Sequence, residues 1–151
     1  MTETLPPHNL EAEKLLIGGL LCDQREMDLC MEILQPSDLY DGNHQTLWHE
    51  MVTSHVLDKP MALVHAEDAL AWDLKVNAPV GTGLTRYAKV VKEEANKRRV
   101  YEMGHKAVKQ ANNGQTAQEL IDTLSGELAD IESQGASEAI SMSSAMVGAL
   151  G

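Results

Sequence analysis

The sequence predicts an all-α chain: a compact multi-helix head followed by a long helical hairpin. Three observations carry that expectation. No stretch alternates apolar and polar residues over the length of a strand. Residues 84–132 read as two long helices around the turn Asn112-Asn113-Gly114-Gln115. After Thr116 the apolar residues Ala117, Leu120, Ile121, Leu124, Leu128 and Ile131 fall within roughly 100° of arc, a single stripe.

The elements follow in order. Leu5-Pro6-Pro7 is extended, since a proline restricts the residue before it. Asn9 is a good N-cap, and Glu11 and Glu13 stand in the first turn, where the helix dipole favours anions. A helix over 9–21 places Leu10, Ile17, Leu20 and Leu21 near one face. Gly18-Gly19 lowers its helix propensity, which predicts a close helix–helix approach there. Asp23 with Glu26 starts a helix over 24–34 that carries Met27, Cys30, Met31 and Leu34, and Pro36 ends it. After a connector, a helix over 43–56 carries Leu47, Trp48, Met51, Val52 and His55 as a core stripe. Lys59-Pro60 turns the chain into a helix over 61–71 with Leu63, Val64 and Leu70. Residues 72–83 hold a proline and two glycines and break every period, which predicts a loop.

The hairpin is built from a helix whose apolar face changes along its length. Leu84, Tyr87, Val90, Val91 and Ala95 share one face; Val100, Tyr101, Ala107, Val108 and Ala111 share another, rotated by roughly a third of a turn. The first half therefore roots in the head, and the second half, from about Asn96, pairs with the helix after Thr116. The paired segments match in length, ~24 Å each at 1.5 Å per residue. Thr116 and Glu119 form a capping box, and Asn113 or Gly114 can take the left-handed conformation that stops the first helix. The candidate self-association residues are Val100, Tyr101 and Val108 with Leu120, Leu124 and Leu128. A lone two-helix hairpin exposes much apolar surface and needs further company. Beyond Ser133 the composition shifts to Ser, Ala, Gly and Met, which predicts a flexible linker with a possible short docking helix. The domains expected are thus a head over 1–83, a hairpin over 84–132 and a linker over 133–151.

Charge is unevenly spread. The chain carries −11, yet residues 84–111 hold eight of the twelve Lys and Arg against three acids. The helix after Thr116 has five acids as far as Glu132 and no base, so the two arms are electrically complementary. Arg98, Arg99, Lys106 and Lys109 are candidate charged contacts to a partner. An overall acidic chain with two tryptophans and three tyrosines makes direct DNA contact weak or indirect.

Several classes find no support. Cys22 and Cys30 read as two buried thiols, neither a disulfide framework nor a zinc site. The first residues show no signal peptide, and no apolar run reaches the ~20 residues of a membrane span, so a cytoplasmic setting is expected. There is no GxxxxGK[ST] loop, and the serine-rich stretch has no partner base. Glu102 and His105 match the Glu-x-x-His spacing of di-iron bundles, but no second copy exists, so a metalloprotein is the remote alternative. His44, His49 and His55 read as surface or core-edge residues. No catalytic, cofactor-binding or metal-binding residue is expected in this chain.

A family resemblance adds to this. The opening Leu5-Pro6-Pro7-His8-Asn9-Leu10-Glu11-Ala12-Glu13, followed by Gly18-Gly19-Leu20-Leu21, resembles the start of a DnaB-type replicative DNA helicase. The likeness continues through Asp38-Leu39-Tyr40, His44, Leu47-Trp48, Met51 and Lys59-Pro60-Met61. It resumes at Tyr87-Ala88-Lys89-Val90-Val91, Glu94, Arg98-Arg99 and the capped hairpin. The resemblance implies a helical N-terminal domain whose hairpins pair between subunits, as dimers within a hexameric collar, and which meets primase and a helicase loader. ATP and Mg would belong to a further domain after Gly151. The segment between Leu70 and Tyr87 is about a helix shorter than in the family. Together with the lack of phenylalanine, this fits a divergent, phage-type member. The alternative of another class is a free-standing helicase-like protein that modulates a host helicase.

Overall fold

In the computed structural model the described residues are 5–59, 69–79 and 83–150, with backbone alone from 134 onward. They form six α-helices and no strand: α1 (Leu10–Cys22), α2 (Met27–Ile33), α3 (Gly42–Val56), α4 (Ala69–Val76), α5 (Thr85–Ala111) and α6 (Ala117–Leu150). Short 3₁₀ turns, Gln24–Glu26 and Pro36–Asp38, precede α2 and α3. Most of the helix expected over 61–71 falls on 60–68, outside the described residues. One compact unit is Pro7–Ala95, and the second begins at Asn96, inside α5.

The first unit is built around α1. Asn9 caps it, its Oδ1 accepting from the Ala12 amide at 3.0 Å. Leu16, Ile17, Leu20 and Leu21 are buried against Met27 and Cys30 of α2, Leu47, Trp48 and Met51 of α3, Leu74 of α4 and Val91 of α5. The close approach expected at Gly18-Gly19 is present. A Cβ at Gly18 would overlap the backbone carbonyl of Leu74, with the carbonyl carbon at 2.9 Å, and a Cβ at Gly19 would stand 2.5 Å from Leu84 Cδ2.

Two buried polar contacts tie this unit together. Glu13, on α1, is buried, and its carboxylate accepts from the amides of Tyr40 (2.9 Å) and Asp41 (3.3 Å) and faces His44 Nδ1 at 3.0 Å. Ionised, it can only accept, so the His44 Nδ1 carries the proton in this contact. His44 is thus interior, not at the surface or core edge: its place at the start of α3 brings it under α1, where Glu13 supplies the partner a buried imidazole needs. The second contact is Lys92 Nζ to Asp38 Oδ2, 3.2 Å, between α5 and the turn before α3; Asp38 Oδ2 also accepts from the Gln35 amide at 2.7 Å. Lys92→Met is expected to destabilise the chain by about 3 kcal/mol in urea unfolding, because it removes the cation that balances a buried carboxylate.

Other expectations are corrected. The helix expected over 24–34 starts at Asp23 as a short 3₁₀ turn, Gln24–Glu26, and is α-helical over Met27–Ile33. Asp23 Oδ1 accepts from the Arg25 amide at 3.1 Å, while Glu26 Oε2 reaches across to the amides of Gly83 (2.9 Å) and Leu84 (3.1 Å) at the start of α5. The remote carboxylate satisfies amide donors at that helix start, which has no acid of its own in its first turn. The loop expected over 72–83 begins late, because α4 runs to Val76. Its buried positions are Ala71 and Leu74, while Trp72 and Val76 are exposed, so the apolar pattern points outward as well as inward and hides the period. The linker expected over 133–151 is helical backbone as far as Leu150. No proline follows Pro79, and the Ala, Met, Leu and Glu of that stretch are good helix formers.

Of the two thiols, Cys30 is buried and Cys22 is exposed at the end of α1, so the expectation of two buried thiols holds for Cys30 alone. Desolvation, with the nearby Glu26 carboxylate, pushes the Cys30 thiol up to about 12 from an ordinary value of 9.0. A thiol reagent at pH 8 is expected to modify Cys22 in the native chain and to reach Cys30 after unfolding. The raised value favours the neutral thiol in the fold. Its contribution to stability is therefore complete below pH 9 and is lost as pH rises toward 12.

Candidate interaction surface

The hairpin is held at its tip by local hydrogen bonds. Gly114 takes the left-handed conformation at φ 82°, and the Thr116–Glu119 capping box is formed: the Glu119 amide donates to Thr116 Oγ1 at 3.2 Å and the Thr116 amide to Glu119 Oε2 at 3.4 Å. Lys106 and Glu127 join the two helices across a 3.0 Å ion pair. Both side chains are partly solvated, so this pair contributes at most about 1 kcal/mol.

Apolar burial between the helices is sparse. Of all residues from Asn96 to Ser133, Met103 is the one that is buried. Tyr101, Leu120 and Leu124, expected in the seam, are half-buried. Val100, Val108 and Leu128, also expected there, are exposed at 46%, 64% and 42%, and Ile121 at 54%. Helical periodicity explains the split: Met103 and Ala107 lie one turn apart on one arc of α5, while Val100 and Val108 lie on the adjoining arc. Met103 escapes the sequence pattern because its apolar neighbours Val100, Tyr101 and Val108 outnumber it on another arc. The Met103–Ala107 spacing is the signal that could have found it.

The charged candidates all lie on α5. Arg99 is half-buried and donates to Asn96 Oδ1 at 2.9 Å; Arg98 is half-buried and Lys109 exposed. Glu102 and His105 are exposed, the His105 ring tilted against Tyr101 with centroids 4.4 Å apart. Among the described residues no group of three or more His, Cys, Asp or Glu is placed to hold a metal ion, and no helix is long and apolar enough to cross a membrane. The arrangement offers contact surface, an apolar face between a basic and an acidic helix.

Comparison with known proteins agrees with this architecture. Residues 5–96 match the family model described as the DnaB-like helicase N terminal domain. The chain is 26% identical to the replicative DNA helicase DnaB of Buchnera aphidicola subsp. Baizongia pistaciae, over 85% of this chain and 31% of the relative. It is 26% identical to the replicative DNA helicase DnaC of Bacillus subtilis, over 84% of this chain and 30% of the relative. It thus spans about a third of the length of these relatives. Among solved structures, the N-terminal domain of DnaB helicase from Mycobacterium tuberculosis superposes with a TM-score of 0.72 at 24% identity, covering 83% of this chain and 99% of that one. The all-α fold is that of this neighbour, and with the family model covering more than half its length, this chain belongs to the DnaB-like helicase N-terminal domain family.

Proposed function

We propose that this chain works as the oligomerisation and partner-docking domain of a replicative DNA helicase. In this role the hairpin is its self-association surface. It supports a hexameric collar and meets primase and a helicase loader in the cytoplasm, while ATP and Mg serve a motor domain beyond this chain. The observation that supports it is the bareness of the hairpin. Apart from Met103, its large apolar side chains are exposed or half-buried, although its tip is capped and its helices are long. Apolar area of that kind on a well-formed element is what subunit contacts cover.

Sedimentation equilibrium tests the reading. The wild-type chain is expected to dimerise reversibly, and a monomer at every concentration overturns the proposal. Leu124→Asp is expected to weaken the dimer by about 2–3 kcal/mol, roughly one to two powers of ten in Kd, because it carries a charge into an apolar contact.

A further inference from the structure

Asp58 is the wrong residue for its place by two local measures. It follows α3 at φ 57°, the left-handed conformation that ends a helix and favours glycine. It also sets a negative charge at a helix C-terminus, where the aligned carbonyls already make the end negative. Its amide donates to the His55 carbonyl at 3.1 Å, a bond that glycine would make equally well. Its carboxylate is exposed and takes no partner among the described residues. Nothing in its own backbone or neighbours accounts for the acid.

The surface around it does. Val56 and Leu57, the two residues before it, are 67% and 58% exposed. His55 Nε2 meets Asp28 Oδ1 at 2.7 Å, which brings the end of α3 against α2, and there Leu29 is 53% exposed. Three large apolar side chains thus stand uncovered around one contact, where a single one would call for no explanation. The border is acidic. Asp28, Glu32 and Asp58 are exposed, and the bases beside them are Arg25, held by Asp23, and Lys59. The unit Pro7–Ala95 as a whole carries fifteen acids and seven bases. A second copy laid on this edge by the same edge would set acid against acid. The described residues offer no strand edge for an extended peptide to join, so the docking mode is a helix laid against helices.

Resting on the partner-docking reading above, and apart from the hairpin, we infer that the α2–α3 edge holds a cationic, apolar-faced helix of another protein. Its apolar side chains cover Leu29, Val56 and Leu57, and a Lys or Arg on its flank pairs with Asp58. The left-handed turn fixes the backbone under that carboxylate, which limits the ordering that pairing requires.

Fluorescence anisotropy on the full chain tests this. The probe is a labelled helical peptide of about 18 residues, leucine on one face and lysine on the other. Its counterpart carries glutamate in place of lysine. The lysine peptide is expected to bind and the glutamate peptide to fail. Val56→Ser and Leu57→Ser are each expected to raise the Kd of the lysine peptide about tenfold. Asp58→Asn, which keeps the left-handed turn, is expected to raise it about threefold or more. Glu11→Gln is the control and should leave it unchanged: Glu11 is an exposed acid two residues from Glu13, which meets the opposite end of α3. Urea unfolding gives a second readout. Asp58→Asn and Asp58→Gly are both expected to raise the midpoint, since each removes the charge from the helix end. A lysine peptide that does not bind, or that Glu11→Gln weakens as much as Asp58→Asn does, overturns the site. So does a lower midpoint for Asp58→Asn, which would make the acid structural. A Leu57→Ser chain whose dimer is weakened in sedimentation equilibrium would show that a second copy covers this edge, and the proposal falls. Each of these failures leaves hairpin self-association to its own test.

Discussion

Gly18→Ala is expected to be the most damaging single methyl group that can be added to this chain. The new Cβ would overlap the Leu74 carbonyl, with the carbonyl carbon at 2.9 Å and the Ala78 Cβ at 3.5 Å. Backbone cannot swing aside as a leucine tip can, so α1 and α4 must separate. Overpacking commonly costs about 1–3 kcal/mol, and a backbone clash belongs at or above the top of that range. A loss of about 3 kcal/mol is a large part of the margin of a small domain. Urea unfolding followed by circular dichroism should show the midpoint collapse. Gly126→Ala is the control: a Cβ there meets nothing within 4 Å, and the change should be neutral or slightly stabilising. Equal stability of the Gly18→Ala chain and wild type would show that the α1–α4 contact is not as close as described.

The second large effect is expected at Glu13. Its buried carboxylate serves the Tyr40 and Asp41 amides and His44 Nδ1 together. Glu13→Ala withdraws all these acceptors at once and leaves a cavity. Breaking a buried charged contact from one side costs about 3–5 kcal/mol, much of it from donors left without partners. Glu13→Gln keeps one acceptor oxygen but turns a donor toward other donors, so it should recover part of the loss. The same urea titration reads both, and an unchanged midpoint for Glu13→Ala would mean that water serves these donors equally well.

Local chemistry explains why some of this was legible and some was not. Asn9 at the start of α1, Gly114 at the turn and the Thr116–Glu119 box each act over three or four residues, so their geometry is written in adjacent letters. Gly18-Gly19 was legible as a crossing because glycine inside a helix needs a reason, although the partner, Leu74, was not. That partner is backbone, which no side-chain pattern reports. Glu13 meets His44 across 31 positions, and Glu26 meets Gly83 across 57. Polar pairs so far apart leave no period. In the hairpin the periodicity found the apolar residues but not their division of labour. Val100 and Val108 differ from Met103 by angle, and the angle that turns inward is set by where α6 lies.

Glu26 has a consequence for anyone who would cut this molecule. The first amides of the α5 region are served by a carboxylate 57 residues upstream, so they have no acceptor until the early part of the chain is in place. A peptide beginning at residue 83 or 84 would carry bare donors and unravel from that end. Excision ahead of α5 is safer with an aspartate grafted ahead of Thr85 to stand in for the distant acid.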